Sequence, residues 1–340
     1  MSEKDPRSIH RQALPAPFLA ADVGGTHARV ALASPEADGA RPIRLLKHQK
    51  YTCADFPDLS AILRDFIEGL DGVKIAGGAI ACAGYCLDGV IINISLPWTV
   101  SLNAIRADLG LSSLEFVNDF EAAAYATRYL GAGETTPLTV VRGPTDGLPA
   151  LVVGPGTGLG AAVRIPSGNG TIVLATEAGQ SAFAPSSERE IEILRFLRRS
   201  ATHVSIESLL SGPGLVNIYT ALSAIHGSAP ALSAPAAITH AARAGTDAIA
   251  RETLNVFCGL MGSVIGDLVL LYGAQGGVYL AGGVLPQIKD FMLGSAFVER
   301  FLDKGQMRPV LERVYVALVE QSHFGVLGAA GWYLERGRKE

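Results

Sequence analysis

The stretch F-L-A-A-D-V-G-G-T-H-A-R-V-A-L-A, residues 18–33, runs apolar, turns on two glycines and runs apolar again. That pattern predicts a β-hairpin. Gly24 and Gly25 take side chains out of the turn, so phosphate can approach the backbone N–H groups. Asp22 ends the first strand and sends a carboxylate into the same space, where a hydrated Mg2+ can sit. A Gly-Gly pair is also an ordinary hairpin turn, so other signals must separate the two readings.

A second stretch supplies one. Residues 153–163 read V-G-P-G-T-G-L-G-A-A-V, again strand, glycine turn, strand. Each stretch opens one half of the chain. The repeat predicts a duplicated α/β unit with a phosphate-facing hairpin in each lobe, the two clasping one nucleotide from opposite sides. The second turn and its exit contain Gly154, Gly156, Thr157, Gly158 and Gly160. No G-x-x-x-x-G-K-[ST] occurs in the chain, so neither turn is a P-loop. Both exits read as strands, whereas a dinucleotide fold leads from its glycines into a helix. Phosphate is then held by N–H groups and threonine hydroxyls, without a Walker lysine.

Composition sets the outer bounds. The chain has 340 residues, 49% apolar, with a formal charge of −4 and no basic block. It can bury a large core. Nucleic acid and anionic membrane are not expected as main partners. The four cysteines are scattered and complete no zinc site, so reduced thiols and a cytoplasmic setting are expected. Residues 1–17 have no apolar core like a secretory signal and read as a flexible N-terminal extension. The apolar run Val256–Leu271 has the length of a membrane span. Asp267 interrupts it, and Gly259, Gly262 and Gly266 are spaced for close packing, which predicts a buried helix over 247–272.

The expected organisation is a small α/β lobe, residues 18–118 plus 322–340, and a large α/β lobe, residues 119–321. A third strand is expected over 43–50. The strand expected over 74–83 carries Gly77 and Gly78, which mark a close backbone contact or a hinge. A strand over 114–117 delivers Asn118-Asp119-Phe120 to its C-terminal end, where α/β sheets bind ligands. After it the pattern predicts a helix over 121–130, a loop over 131–149 and, later, a helix over 205–210.

Several residues have two readings. Asn118 and Asp119 can cap a helix, or Asp119 can be the general base that phosphoryl transfer to an alcohol requires. Glu177, in A-T-E-A-G-Q-S, and Glu207, in H-V-S-I-E-S-L-L-S-G-P-G, have the character of surface acids. They can also accept hydrogen bonds from sugar hydroxyls. Gly282 and Gly283 form a strand-to-helix turn, or a bare backbone against adenosine.

Taken together, D-V-G-G-T at 22–26, N-D-F at 118–120, G-P-G-T-G-L-G at 154–160, L-S-G-P-G-L-V-N at 210–217 and G-G-V-Y-L-A-G-G at 276–283 resemble the bacterial glucokinase family, in order and in spacing. The resemblance covers roughly residues 18–332. It implies a two-lobed ribonuclease-H-like (actin-like ATPase) fold with duplicated mixed sheets flanked by helices. It also implies ATP with Mg2+ and transfer of the γ-phosphate to the 6-hydroxyl of glucose. Asp119 is then the catalytic base, with Asn118, Glu177 and Glu207 as sugar ligands and Asn93 as a further sugar contact. Gly24, Gly25, Thr26, Gly156, Thr157 and Gly158 face phosphate. Gly282 and Gly283 face adenosine, and Asp22 holds Mg2+ through water. A homodimer is the expected assembly.

Two residues depart from the family pattern. Gln180 stands where a sugar-binding histidine is usual, and His27 follows G-G-T where asparagine is usual. A glutamine amide donates and accepts but carries no charge. The alternatives are therefore a kinase of another hexose, or a non-catalytic sugar-sensing protein of the same fold. Regulators of that kind usually carry an N-terminal helix-turn-helix, which is not expected in the short, mostly polar segment before Phe18.

Overall fold

The computed structural model describes residues 16–36, 42–92, 96–131, 133–168 and 170–336. Asn93, the expected sugar contact, lies outside them, as does the N-terminal stretch up to residue 15. The chain divides into two compact units, residues 1–117 with 325–340, and residues 118–324.

The first unit begins with β1 (Phe18–Val23) and β2 (His27–Pro35), an antiparallel hairpin in which Asp22 faces Arg29. β1 is buried almost throughout, as a central strand covered on both faces must be. β3 (Ile43–Thr52) pairs with β2, and β4 (Gly77–Cys82) runs parallel to β1. A small meander follows, formed by β5 (Tyr85–Leu87), β6 (Val90–Ile92) and β7 (Val100–Ser101). β8 (Ser113–Asn118) closes the main sheet, whose order is β3-β2-β1-β4-β8. Gly77 and Gly78 mark close contact and not a hinge. A Cβ at Gly77 would stand 2.1 Å from Ser113 Oγ, and one at Gly78 2.3 Å from the Leu19 carbonyl oxygen.

The second unit repeats the order. β9 (Thr135–Pro137), β10 (Ala150–Pro155), β11 (Leu159–Ser167), β12 (Gly170–Thr176), β13 (Gly277–Leu280) and β14 (Val316–Val319) form the sheet β12-β11-β10-β13-β14-β9. Its hairpin is antiparallel and β10, β13 and β14 are parallel, so β10 corresponds to β1 and β13 to β4. β9 lies inside the expected loop 131–149. Its sequence T-T-P is too short to carry an alternation, and it is a strand because Thr135–Pro137 add to the exposed edge of β14.

Helix Ala248–Tyr272 fills one face of this sheet. It is the one helix among the described residues long and apolar enough to cross a membrane, but 67% of its most apolar window is buried within the protein. Leu254, Phe257 and Ile265 are fully buried, each contributing about 1.5–3 kcal/mol. Its glycines admit helix Phe297–Leu302 at backbone distance. A Cβ at Gly262 would lie 2.1 Å from the Phe297 carbonyl oxygen. Asp267 pairs with Lys304 at 2.8 Å. The opposite face carries helix Asp119–Ala126 over Ala150, Val152 and Ala162.

Two helix expectations are corrected. The helix expected over 121–130 covers 119–126 and then tightens into a 3-10 turn at 127–129, where the Thr127 hydroxyl bonds the Ala124 carbonyl. The helix expected over 205–210 is a single 3-10 turn, 206–208. Ser205 and Ser208 form a reciprocal capping box there, and Ser211 starts a new helix at 212, leaving no length for more.

Candidate active site

Most of the candidate residues fall in the second unit, and they meet at the glycine turn between β10 and β11. Gly156 N–H bonds the Gly158 carbonyl at 2.8 Å, closing the turn. The Gly156 carbonyl accepts the N–H of Gly212, at the start of helix Gly212–Ile225, also at 2.8 Å. Three of the four glycines exist for the protein's own packing. A Cβ at Gly154 would stand 1.7 Å from the Ala281 carbonyl oxygen, one at Gly158 2.4 Å from Glu207 Oε2, and one at Gly160 2.0 Å from the Phe120 ring. Only Gly156 has open space where its side chain would be. Thr157 beside it is exposed.

These close approaches attach each candidate group to the turn. The Asn118 side chain caps helix Asp119–Ala126, its Oδ1 accepting the N–H of Phe120 at 2.9 Å and of Glu121 at 3.2 Å. That engages the amide oxygen and leaves the NH2 as the group's donor end. Capping and ligand binding are therefore compatible at this residue. Asp119, half-buried, has Oδ1 within 2.9 Å of the Phe120 N–H. The Phe120 ring packs closely on Gly160 and Gly154, so the residue next to Asp119 is docked on the turn. The third letter of N-D-F thus fixes where the carboxylate stands.

Glu207 reaches the same turn from the other side. Its Oε2 accepts the Leu159 N–H at 2.7 Å, and its Oε1 accepts from Gln180 Nε2 at 3.0 Å. The Gln180 carbonyl in turn contacts His203 Nε2 at 2.9 Å. Segments 181–183 and 204–206 are joined by backbone bonds, Phe183 N–H to Val204 and Ile206 N–H to Ser181, both 2.9 Å. Glu177 is exposed at the head of this loop, where its carbonyl accepts the Gln180 N–H at 2.9 Å. Gly282, at φ +134°, packs on the turn, since a Cβ there would lie 2.6 Å from the Pro155 carbonyl oxygen. Gly283 is exposed and has nothing within 4 Å of its Cβ direction.

The first unit holds the other glycine turn. Gly24 N–H bonds the His27 carbonyl at 3.0 Å, and Cys53 braces the turn from below, its N–H on the Thr26 carbonyl at 2.9 Å and its Sγ on the Gly24 carbonyl at 3.3 Å. Gly24 and Thr26 are exposed, and His27 is half-buried as the first residue of β2, opposite Thr52. Asp22 pairs with Arg29 Nη1 at 3.6 Å, and its carboxyl lies against Gly325, where a Cβ would approach to 2.6 Å. Burial raises the Asp22 pKa, and Arg29 acts in the opposite direction. A half-buried carboxylate that faces one cation at 3.6 Å and makes no shorter ion pair among the described residues is a donor suited to Mg2+, which takes one or two carboxylates and fills its shell with waters and phosphate oxygens. Among the described residues no three His, Cys, Asp or Glu side chains form a metal cage. The donor set therefore fits Mg2+ held mainly by nucleotide and water.

Cys53, Phe120, Gly212 and Gly325 support the site and were not singled out from the sequence. Phe120 had a signal, its place in N-D-F. The others act through backbone or a buried thiol, which leave no mark in residue type.

A family model described as Glucokinase matches residues 19–336. A "Glucokinase-like protein" of Xylella fastidiosa (strain 9a5c) is 49% identical over 320 residues, 94% of this chain and 95% of that protein. A "Glucokinase" of Saccharophagus degradans is 38% identical over 317 residues, covering 93% and 98%. Among solved structures, a glucokinase from an Antarctic psychrotroph superimposes with a TM-score of 0.85 at 34% identity, covering 94% of this chain and 98% of that one.

Proposed function

Because this chain belongs to the glucokinase family, we propose that it transfers the γ-phosphate of ATP to the 6-hydroxyl of glucose. The observation that carries the reading is the glycine turn 154–160, to which the Asp119 helix, the Glu207–Gln180 pair and the Gly282 turn are all fastened. Phosphate, sugar and base are thereby positioned by one rigid element, as a transfer reaction with little tolerance for misalignment needs.

In this reading Asn118, Glu177, Gln180 and Glu207 bind the sugar hydroxyls. Asp119 takes the proton of the 6-hydroxyl as its oxygen bonds to the γ-phosphorus and the bond to the ADP oxygen breaks. The N–H groups of Thr157, Gly158, Gly25 and Thr26 and the hydroxyls of Thr157 and Thr26 bind phosphate oxygens, while Gly156 and Gly24 leave room for the phosphates to approach. Gly282 and Gly283 leave the backbone bare for the nucleoside. Asp22 would hold Mg2+, which offsets charge on the phosphates when bound. The four cysteines are thiols outside any disulfide, which supports a cytoplasmic setting. The homodimer rests on the family resemblance and is checked by light scattering.

Glu207→Ala tests the central link. It leaves the Leu159 N–H without its acceptor, a loss of about 1–3 kcal/mol, and removes the acceptor of the Gln180 side-chain NH2. KM for glucose is expected to rise and kcat to fall in steady-state assays. Glu207→Gln, which keeps an acceptor, should recover part of the stability but little of the activity.

The second reading, a kinase of another hexose, is favoured by Gln180. A panel of glucose, mannose, fructose and glucosamine, assayed for ADP release with wild type and Gln180→His, separates the two. Glucose is expected to have the highest kcat/KM in both proteins. A different best sugar in the wild type would move the assignment, and no sugar-dependent ADP release would favour the binding protein.

A further inference from the structure

The second unit holds a cavity of about 630 Å3 that none of the chemistry above uses. It opens at the opposite end of the sheet from the glycine turn. Arg164 on β11 is paired with Ala150, the first residue of β10, whereas the turn follows the last residue of β10. Tyr315 immediately precedes β14, and the loop over the cavity is held by Thr145 N–H on the Gly276 carbonyl at 3.1 Å, just before β13. The volume is that of a small-molecule site.

Its walls are strongly basic. Arg128, Arg142 and Arg164 all line it, with Asp146 as the one acidic side chain. Arg164 is half-buried and its Nε donates to Thr127 Oγ1 at 2.9 Å. Burial, followed by the Arg128 charge, lowers its pKa, while Tyr279 and Asp146 act in the other direction. Guanidinium groups gathered in a concavity repel one another unless an anion sits among them. Tyr279 and Tyr315, both buried and edge-to-face at 6.2 Å, form an aromatic wall, and the Tyr315 hydroxyl contacts Thr135 Oγ1 at 2.9 Å. The C-terminal end of helix Asp119–Ala126 points this way and disfavours anions by about 0.3–1 kcal/mol. Charge-assisted bonds from three arginines, each worth about 1.5–3 kcal/mol, outweigh that.

We propose that this cavity is a second ligand site, specific for a small phosphate monoester whose phosphate is held by Arg128, Arg142 and Arg164 and whose polyol or ring lies on Tyr279 and Tyr315. The site is linked to the catalytic helix. Arg164 bonds Thr127, whose hydroxyl bonds the Ala124 carbonyl at 2.8 Å, in the last turn of the helix that begins at Asp119.

The test is calorimetric titration of the full chain with glucose 6-phosphate, inorganic phosphate and, as a neutral control, sorbitol. Saturating AMPPNP and glucose are present to fill the catalytic site. One equivalent of glucose 6-phosphate is expected to bind, inorganic phosphate more weakly, and sorbitol not at all. Arg164→Met and Arg142→Ala should each weaken binding at least tenfold. Arg142 is exposed and its side chain has no hydrogen-bond or ion-pair partner among the described residues, so that variant keeps the wild-type Tm. No binding of either phosphate to the wild type, or binding unchanged in Arg142→Ala and Arg164→Met, would overturn the proposal. The variants locate the ligand even if AMPPNP fails to bind, so failure of the kinase reading remains distinguishable.

Discussion

Asp119→Ala is expected to fold normally and to lose activity by about two to four powers of ten in kcat, the range general-base catalysis supplies. The helix it begins is capped by Asn118, not by Asp119, so the substitution removes no cap. Its neighbour Phe120 stays docked on Gly160, so the turn is undisturbed. Sugar binding should change far less than turnover, because Asn118, Glu177, Gln180 and Glu207 remain. Asp119→Asn keeps the shape and loses the proton acceptor, and should be nearly as inactive. Wild-type kcat in either folded variant would remove Asp119 from the role of base.

Gly154→Val is expected to have the largest effect on stability. The added Cβ would lie 1.7 Å from a backbone oxygen, that of Ala281, which cannot turn aside as a side chain can. The Ala281 N–H is bonded to the Val153 carbonyl at 2.9 Å, so relief requires β10 and β13 to part at their C-terminal ends. Overpacking of this kind costs about 3 kcal/mol or more. For a unit of this size that corresponds to a fall in Tm of roughly 6–12 °C. Gly156→Ala is the contrast: with open space at its Cβ direction, it should melt like the wild type and bind nucleotide more weakly. Equal melting of Gly154→Val and wild type would show that Gly154 is not packed on the Ala281 carbonyl.

Why Gly154 and Gly156 differ so much could not be read from the sequence. Both are letters of G-P-G-T-G-L-G, and residue type alone gives them one role. The hairpin at 18–33, its repeat at 153–163 and the buried helix after Asp247 were legible because apolar period and glycine punctuation are local signals. β9 was not, because its pairing partner, β14, is about 180 residues away and T-T-P has no pattern of its own. The 3-10 turns at 127–129 and 206–208 depend on side-chain bonds from Thr127 and Ser205 that compete with α-helix, and periodicity does not register that competition. Glu207 was legible only as an acid able to accept hydrogen bonds from hydroxyls. Its grip on the Leu159 N–H was not, since an acid 48 residues from its partner carries no mark of the contact. His27 proves to be the first residue of β2 opposite Thr52, and nothing in the structure explains why histidine stands there.

The groups fastened to the 154–160 turn are expected to carry phosphate from ATP to a sugar hydroxyl. Phosphorus NMR of the protein with ATP, Mg2+ and glucose tests this most directly, since it identifies both products at once. ADP and a phosphate monoester at C6 of glucose are expected, formed one for one and abolished by Asp119→Ala. ADP with inorganic phosphate at a rate indifferent to glucose, or no ADP at all from folded protein, would contradict it.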